Sequence, residues 1–297
     1  MTARSQILAP VAAEPRPTAP AAPTPVRRRL APAGRWPSVD LRELWAARGL
    51  FGFLVWRDVK VRYAQTVLGA GWAVLQPMLA MVVFTVIFGR FARIPSDGVP
   101  YPAFSLAALV PWTYFATALA GASNSLLLST NLLTKVYFPR LAIPMAPVLA
   151  TLLDFGIALT VLLLVLSWFH IVPSAWAVLV VPLLLLVTVM TATGVGCFLA
   201  ALNVQYRDVK YVTPFLVQVW MYGSPIVYPL SLVPRELRAV YALNPMVGVI
   251  SGFRAVLLGQ AQIPWSAILP GAATSVVLLV IGVLYFQHTE RVFADVA

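Results

Sequence analysis

One cysteine, two histidines and ten acids in 297 residues leave little from which to assemble a catalytic centre. The lone Cys197 excludes an intrachain disulfide and a cysteine-rich metal site, and says little about redox compartment. His170 and His288 fall in predicted loops at opposite membrane faces, too far apart to share a site. The pattern G-x-x-x-x-G-K-S/T is absent, so the chain has no P-loop of its own for ATP. H-E-x-x-H and a nucleophile elbow are absent too, and the scattered acids form no metal-binding or catalytic cluster. Charge as a whole is scarce: 10% of residues, against about 25% in an average soluble domain.

What fills the space is apolar. Hydrophobic residues make up 60% of the chain and mean hydropathy is +0.85. They come in runs of about 17–25 residues, long enough to cross a hydrocarbon core about 30 Å thick, which makes this an integral membrane protein. Six spans are predicted, at roughly 69–90, 103–120, 145–169, 177–202, 212–229 and 266–286. Between the fifth and sixth, the apolar stretch 246–258 is too short to span and contains Arg254. Its pattern predicts a pair of short helices broken at Asn244–Pro245 and dipping in from one side. The fold class is therefore all-α and polytopic, with 69–297 as the transmembrane domain.

Two segments precede it. Residues 1–37 are rich in Pro, Ala and Arg, cannot bury apolar surface, and read as a disordered basic tail. They are not a signal peptide, since no apolar core follows the first charges. Residues 38–68 read as an amphipathic interface helix with Ser38 as its N-cap. Leu41, Leu44, Trp45, Phe51, Leu54 and Val55 recur at helical spacing among Arg42, Arg48, Arg57, Lys60 and Arg62.

A net charge of +11 would suggest nucleic acid in a soluble protein, but here it sets topology. With the N-terminus inside, sixteen Lys and Arg lie in inner segments and five (Arg90, Arg93, Arg235, Arg238, Arg254) outside, so both termini are expected in the cytoplasm.

Three features carry possible chemistry. Asp154 is the one acid well inside a span, about 13 Å from the start of its helix, with no acid or basic partner in any span. It reads either as a helix-seam acid or as a proton relay. The second feature, NLLTKVYFPRLAIP at 131–144, sets Tyr137 and Phe138 beside Lys135 and Arg140, on a backbone stiffened by Pro139 and Pro144. Aromatics with Arg are the composition of interface hot spots, but a juxtamembrane loop would look similar. The third, NVQYRDVKYVTP at 203–214, puts Arg207 beside Asp208 at a span boundary, as a contact or as a solvated turn meeting lipid phosphate.

Several stretches, in order, resemble one family. RYAQTVLGAGWAVLQPM (62–78), NLLTKVYFPRLAIP, ALNVQYRDVKYVTPF (201–215), SPIVYPLSLVP (224–234), ALNPMVGVISGFR (242–254) and TERVFADVA (289–297) are similar to the membrane subunit of bacterial ABC-2-type polysaccharide exporters. The likeness is greatest to the O-antigen and lipopolysaccharide export permeases (Wzm-like), with teichoic acid and capsule export permeases as relatives. It covers about residues 40–297 and implies a homodimer with two copies of a separate cytoplasmic ATPase, which would bind ATP and Mg. The cargo would be lipid-linked polysaccharide, typically on undecaprenyl pyrophosphate, moved outward across the inner membrane. By this resemblance Asn131, Lys135, Tyr137, Phe138, Pro139 and Arg140 form or adjoin the coupling helix, with Arg207 and Asp208 as a smaller contact. Arg57, Lys60, Arg62 and Tyr63 would stand where a pyrophosphate head group is met, and clustered cations favour such a group as they favour lipid head groups. Pro225, Pro229, Asn244, Pro245 and Arg254 would belong to the periplasmic gate. Two rivals remain: a proton- or ion-coupled carrier using Asp154, and a non-transporting membrane protein, which would need the acidic cluster that is lacking.

Overall fold

The computed structural model describes residues 45–64, 66, 69, 71–129, 139–206, 208–259 and 262–290. No strand occurs among them. Helix α1 runs Arg48–Tyr63, and α2 runs Gly71–Phe84 before widening into a π-helix over Thr85–Phe91. Helix α3 (Tyr101–Leu128) is followed by α4 (Ala142–Ala150) and α5 (Leu152–Trp168), which make one span interrupted at Thr151. The interruption has a local cause. The Thr151 hydroxyl, alongside its own N–H, donates back to the Pro147 carbonyl at 2.7 Å, a bond that bends helices.

Helix α6 (Ala177–Gln205) leads to α7 (Val209–Tyr222), α8 (Arg238–Tyr241), α9 (Pro245–Leu257) and the last helix, α10 (Trp265–Thr289). Among the described residues five helices, at Gly71–Phe91, Tyr101–Leu128, Ala142–Trp168, Ala177–Gln205 and Trp265–Thr289, are long and apolar enough to cross a membrane. The segments Arg235–Tyr241 and Pro245–Leu257 form a helical pair bent by 109°, so the break expected at Asn244–Pro245 is there.

Helix α3 is the axis of the bundle. It packs against α2, α4, α5, α6, α7 and α9, and small residues such as Ala107, Ala108, Ala118 and Ala122 let those neighbours approach on every side. Helices α6 and α10 approach closely at Gly194 and Gly282, where a Cβ on Gly282 would overlap the Gly194 carbonyl oxygen. Thr191 and Ser275 share a hydroxyl hydrogen bond of 2.9 Å across the same seam. In an apolar medium small residues and hydroxyl pairs hold helices together where the hydrophobic effect cannot.

Three local expectations are refined. The helical part of the fifth predicted span ends at Tyr222, and residues 223–229 continue as non-helical chain through Pro225 and Pro229. His288 lies in the last turn of α10, not in a loop. Helix α1 turns Leu54 into a cluster with Leu126, Leu141, Ala142 and Ile143, while Phe53, Trp56 and Val61 stay exposed. Its apolar residues thus serve two surfaces, one made by the protein itself. The expected N-cap Ser38 and the tail 1–37 lie outside the described residues.

Candidate functional site

Most of the described residues singled out in the sequence gather at two places. At one, the C-terminal turns of α1 meet α5. Tyr63 donates its phenol to Asp154 Oδ1, and Arg62 Nη1 pairs with Asp154 Oδ2. Arg62 Nη2 also donates to Thr151 Oγ1 at 3.0 Å. Arg57 does not join them: its guanidinium turns to neighbouring Asp58 at 2.8 Å, and Lys60 is exposed. Asp154 is therefore not the isolated carboxylate its span suggested. Its cation comes from outside the spans, 92 positions earlier in the chain, where hydropathy gives no hint of it.

Beside this group lies a cavity of about 160 Å³, lined also by Trp72, Gln76, Thr113, Tyr114 and Thr117. It sits among α1, α2, α3 and α5. Such a mixture of one ion pair, hydroxyls, an amide and aromatic faces can hold a small polar group within apolar surroundings.

The second place brings together the five residues expected at the gate. The non-helical chain after α7 carries carbonyls with no helical partner, and within a membrane protein such groups must find donors. Arg254 supplies them from α9. Its Nη1 donates to Pro225 O at 2.6 Å and Tyr228 O at 3.2 Å, its Nη2 to Ile226 O at 2.7 Å, and its Nε to Phe104 O at 3.2 Å. The guanidinium carbon also stands 3.5 Å from the Phe104 ring centroid. Counted as an outer charge from sequence, Arg254 is in fact 4% exposed, and among the described residues it pairs with no carboxylate.

Asn244 ties the same region from the other side. Its Oδ1 accepts from Trp220 Nε1 at 2.8 Å and from the Met246 N–H at 3.0 Å, which caps α9 ahead of Pro245. Its Nδ2 donates to Gly223 O at 2.8 Å and Ser224 Oγ at 3.1 Å. Pro229 precedes a short turn at Leu230–Leu232 and lines a cavity of about 220 Å³ with Asp97, Arg238 and Arg254. Tyr101, which donates to Val227 O at 2.8 Å, and Tyr241, whose hydroxyl pairs with that of Tyr228 at 2.9 Å, were not singled out in the sequence. No motif marks them; only the fold brings them to the same loop.

Of the expected coupling residues, Pro139, Arg140 and Asp208 are described, whereas Asn131, Lys135, Tyr137, Phe138 and Arg207 lie outside the described residues. Arg140 reaches the end of α10, donating Nη1 to Glu290 O at 2.6 Å, with Nε 3.7 Å from Glu290 Oε1. Asp208 is exposed at the start of α7, where its carbonyl accepts from the Tyr211 and Val212 N–H groups.

Among the described residues, five long apolar helices and a bent helical pair, carrying two polar clusters, define a multi-pass α-helical membrane protein. The chain belongs to the ABC-2 type transporter family, whose profile matches residues 49–258. It is 32% identical to the O-antigen export system permease protein RfbA of Myxococcus xanthus over 258 residues, 86% of this chain and 98% of that one. A Klebsiella pneumoniae protein of the same description is 27% identical over 81% of this chain and 92% of its own length. The polysialic acid transport protein KpsM of Escherichia coli is 24% identical over 65% of this chain and 75% of its own.

Proposed function

We propose that this chain is the membrane-spanning permease subunit of an ATP-driven exporter of lipid-linked polysaccharide. The cargo is of the O-antigen type, carried on undecaprenyl pyrophosphate, and moves from the cytoplasmic to the periplasmic side of the bacterial inner membrane. The observation that carries this reading is the match to an O-antigen export permease over nearly the whole of that relative's length. Having no P-loop, the chain relies on a partner: two copies form the conduit and two copies of a cytoplasmic ATPase bind ATP and Mg.

Both termini face the cytoplasm, following the excess of Lys and Arg in the inner segments. The ATPase docks on 131–144 and on the Arg207–Asp208 turn. The hold of Arg140 on the end of α10 supports this, because it gives a moving coupling segment a grip on the last helix. The end of α1, with Arg57, Lys60, Arg62 and Tyr63, receives the pyrophosphate head group. The bent α8–α9 pair, knotted by Arg254 and Asn244, closes the outer end until the polymer passes. ATP-driven closure of the partner subunits works as a switch because the cargo and the nucleotide favour different conformations.

The rival reading, a proton-coupled carrier acting through Asp154, has less in its favour, since Arg62 and Tyr63 already occupy both oxygens of that carboxylate. Purification of the chain from its native membrane, with mass identification of co-purifying subunits and an ATPase assay, tests the proposal. A P-loop ATPase is expected to accompany the wild type and to be lost or uncoupled by Tyr137→Ala with Phe138→Ala. Unchanged co-purification and export in that variant would sink the docking assignment.

A further inference from the structure

Among the four head-group residues on α1, two behave differently from the others. Arg57 and Lys60 stay on their own helix or in the open, but Arg62 and Tyr63 reach across to α5 and take both oxygens of Asp154. The ion-paired side chains are 27% and 22% exposed, neither sealed in the core nor loose on the surface. They border the cavity of about 160 Å³, which Trp72 and Tyr114 also line. A water's share of liquid volume is about 30 Å³, so the cavity has room for a phosphate group together with a few waters.

The pairing has an electrostatic consequence. As long as the carboxylate holds it, the Arg62 guanidinium brings no uncompensated positive charge to the cavity. A phosphate is a rival for the same partner: it offers several acceptor oxygens in a geometry that the planar Arg fork matches. The Thr151 hydroxyl, already 3.0 Å from Arg62 Nη2, and the Tyr63 phenol stand next to it. Asp154 thus competes with an incoming anion for Arg62, and once Arg62 is drawn away its carboxylate keeps the Tyr63 phenol as a donor.

We propose that the Arg62–Asp154 pair is a latch on this cavity, and that a lipid-borne phosphate opens it by taking Arg62 from the carboxylate. The inference rests on the head-group role assigned above to the end of α1, and it adds the acid that competes with the ligand. Exchange of partners also removes one of the two ties between the end of α1 and Asp154 of α5, so occupancy of the cavity becomes a change in helix contacts. An ordinary membrane phospholipid and the pyrophosphate carrier share this chemistry, and the ligand arms below separate them.

The full chain in nanodiscs is titrated with undecaprenyl pyrophosphate, undecaprenol and phosphatidylglycerol, with binding read by native mass spectrometry. Undecaprenyl pyrophosphate is expected to bind well ahead of undecaprenol. Asp154→Asn is expected to tighten its binding about tenfold, and Arg62→Gln to weaken it about tenfold or more. Binding to Asp154→Asn that is unchanged or weaker, in a protein melting near wild type, overturns the latch and leaves the head-group role standing. Equal binding of undecaprenol and its pyrophosphate overturns both. Displacement by phosphatidylglycerol at equal concentration keeps the latch but assigns it to bilayer phospholipid in place of the cargo. Should Asp154→Asn fail to fold, the swap of Arg62→Asp with Asp154→Arg decides. Binding within about threefold of wild type supports partner exchange, and loss of binding overturns it.

Discussion

Arg62 and Arg254 are both arginines in an oily protein, and the fold treats them in opposite ways. Arg62 is partly exposed at the edge of a cavity and is balanced by one carboxylate from another helix. Arg254 is buried, without a carboxylate among the described residues, and holds four carbonyl oxygens and the face of Phe104. A pair made of one cation and one anion can be exchanged for another anion. A cation spread over four carbonyls of two segments has no such single rival, and each carbonyl it leaves becomes a buried orphan. The difference separates a pair that another anion could replace from a knot that holds a non-helical loop in place.

The largest effect tests the knot. Arg254→Met keeps much of the volume but removes every donor, and is expected to destabilise the protein by about 4 kcal/mol, read as a large drop in the melting temperature of the purified chain. Arg254→Lys sharpens the point, since it keeps the charge but lacks the fork that spans four acceptors; a loss of about 3 kcal/mol is expected, and a Lys variant as stable as wild type would show that charge alone matters. Asn244→Ala removes the α9 cap and the partner of Trp220 together, for about 2 kcal/mol, with a changed Trp fluorescence as a second readout. Asp154→Asn weakens the exchangeable pair and is expected to cost only about 1 kcal/mol, because the pair is partly exposed and the Asn oxygen can still accept from Arg62 or Tyr63. The smallest effect belongs to Arg140→Gln, a partly exposed tie to Glu290, at less than about 1 kcal/mol in stability; its consequence should appear as weaker coupling of ATP hydrolysis to export.

These sites were legible in the sequence to different degrees. Asn244, Pro245, Pro225 and Pro229 announced a break because proline and Asn act on the backbone where they stand, and the structure puts them around one loop. Arg254 was found as a charge in a short apolar segment, but its direction was not readable: a topology count treats every Arg as seeking water, whereas four free carbonyls can replace water. Asp154 was found and its partner was not, because the partner lies on a helix that hydropathy places outside the spans. The fifth span was read as longer than its helix, since 223–229 is apolar enough to pass but too rich in proline and glycine to coil.

Local properties are what the sequence by itself determined: the membrane class, the long apolar helices, the break before α9, the absence of a P-loop motif and the membership of a transporter family. Each follows from hydropathy, from proline or from contiguous motifs, and survives without knowing what touches what. Only the tertiary structure decided which apolar helix is core. The most apolar stretch of Tyr101–Leu128 is 78% buried and that of Gly71–Phe91 only 11%, although both are apolar enough to cross a membrane. Hydrocarbon and protein interior are equally oily neighbours, so composition cannot tell one from the other. The same limit applies to polar groups: the pairing of Arg62 with Asp154, and of Arg254 with the 225–228 carbonyls, depends on helices that meet only when the bundle closes.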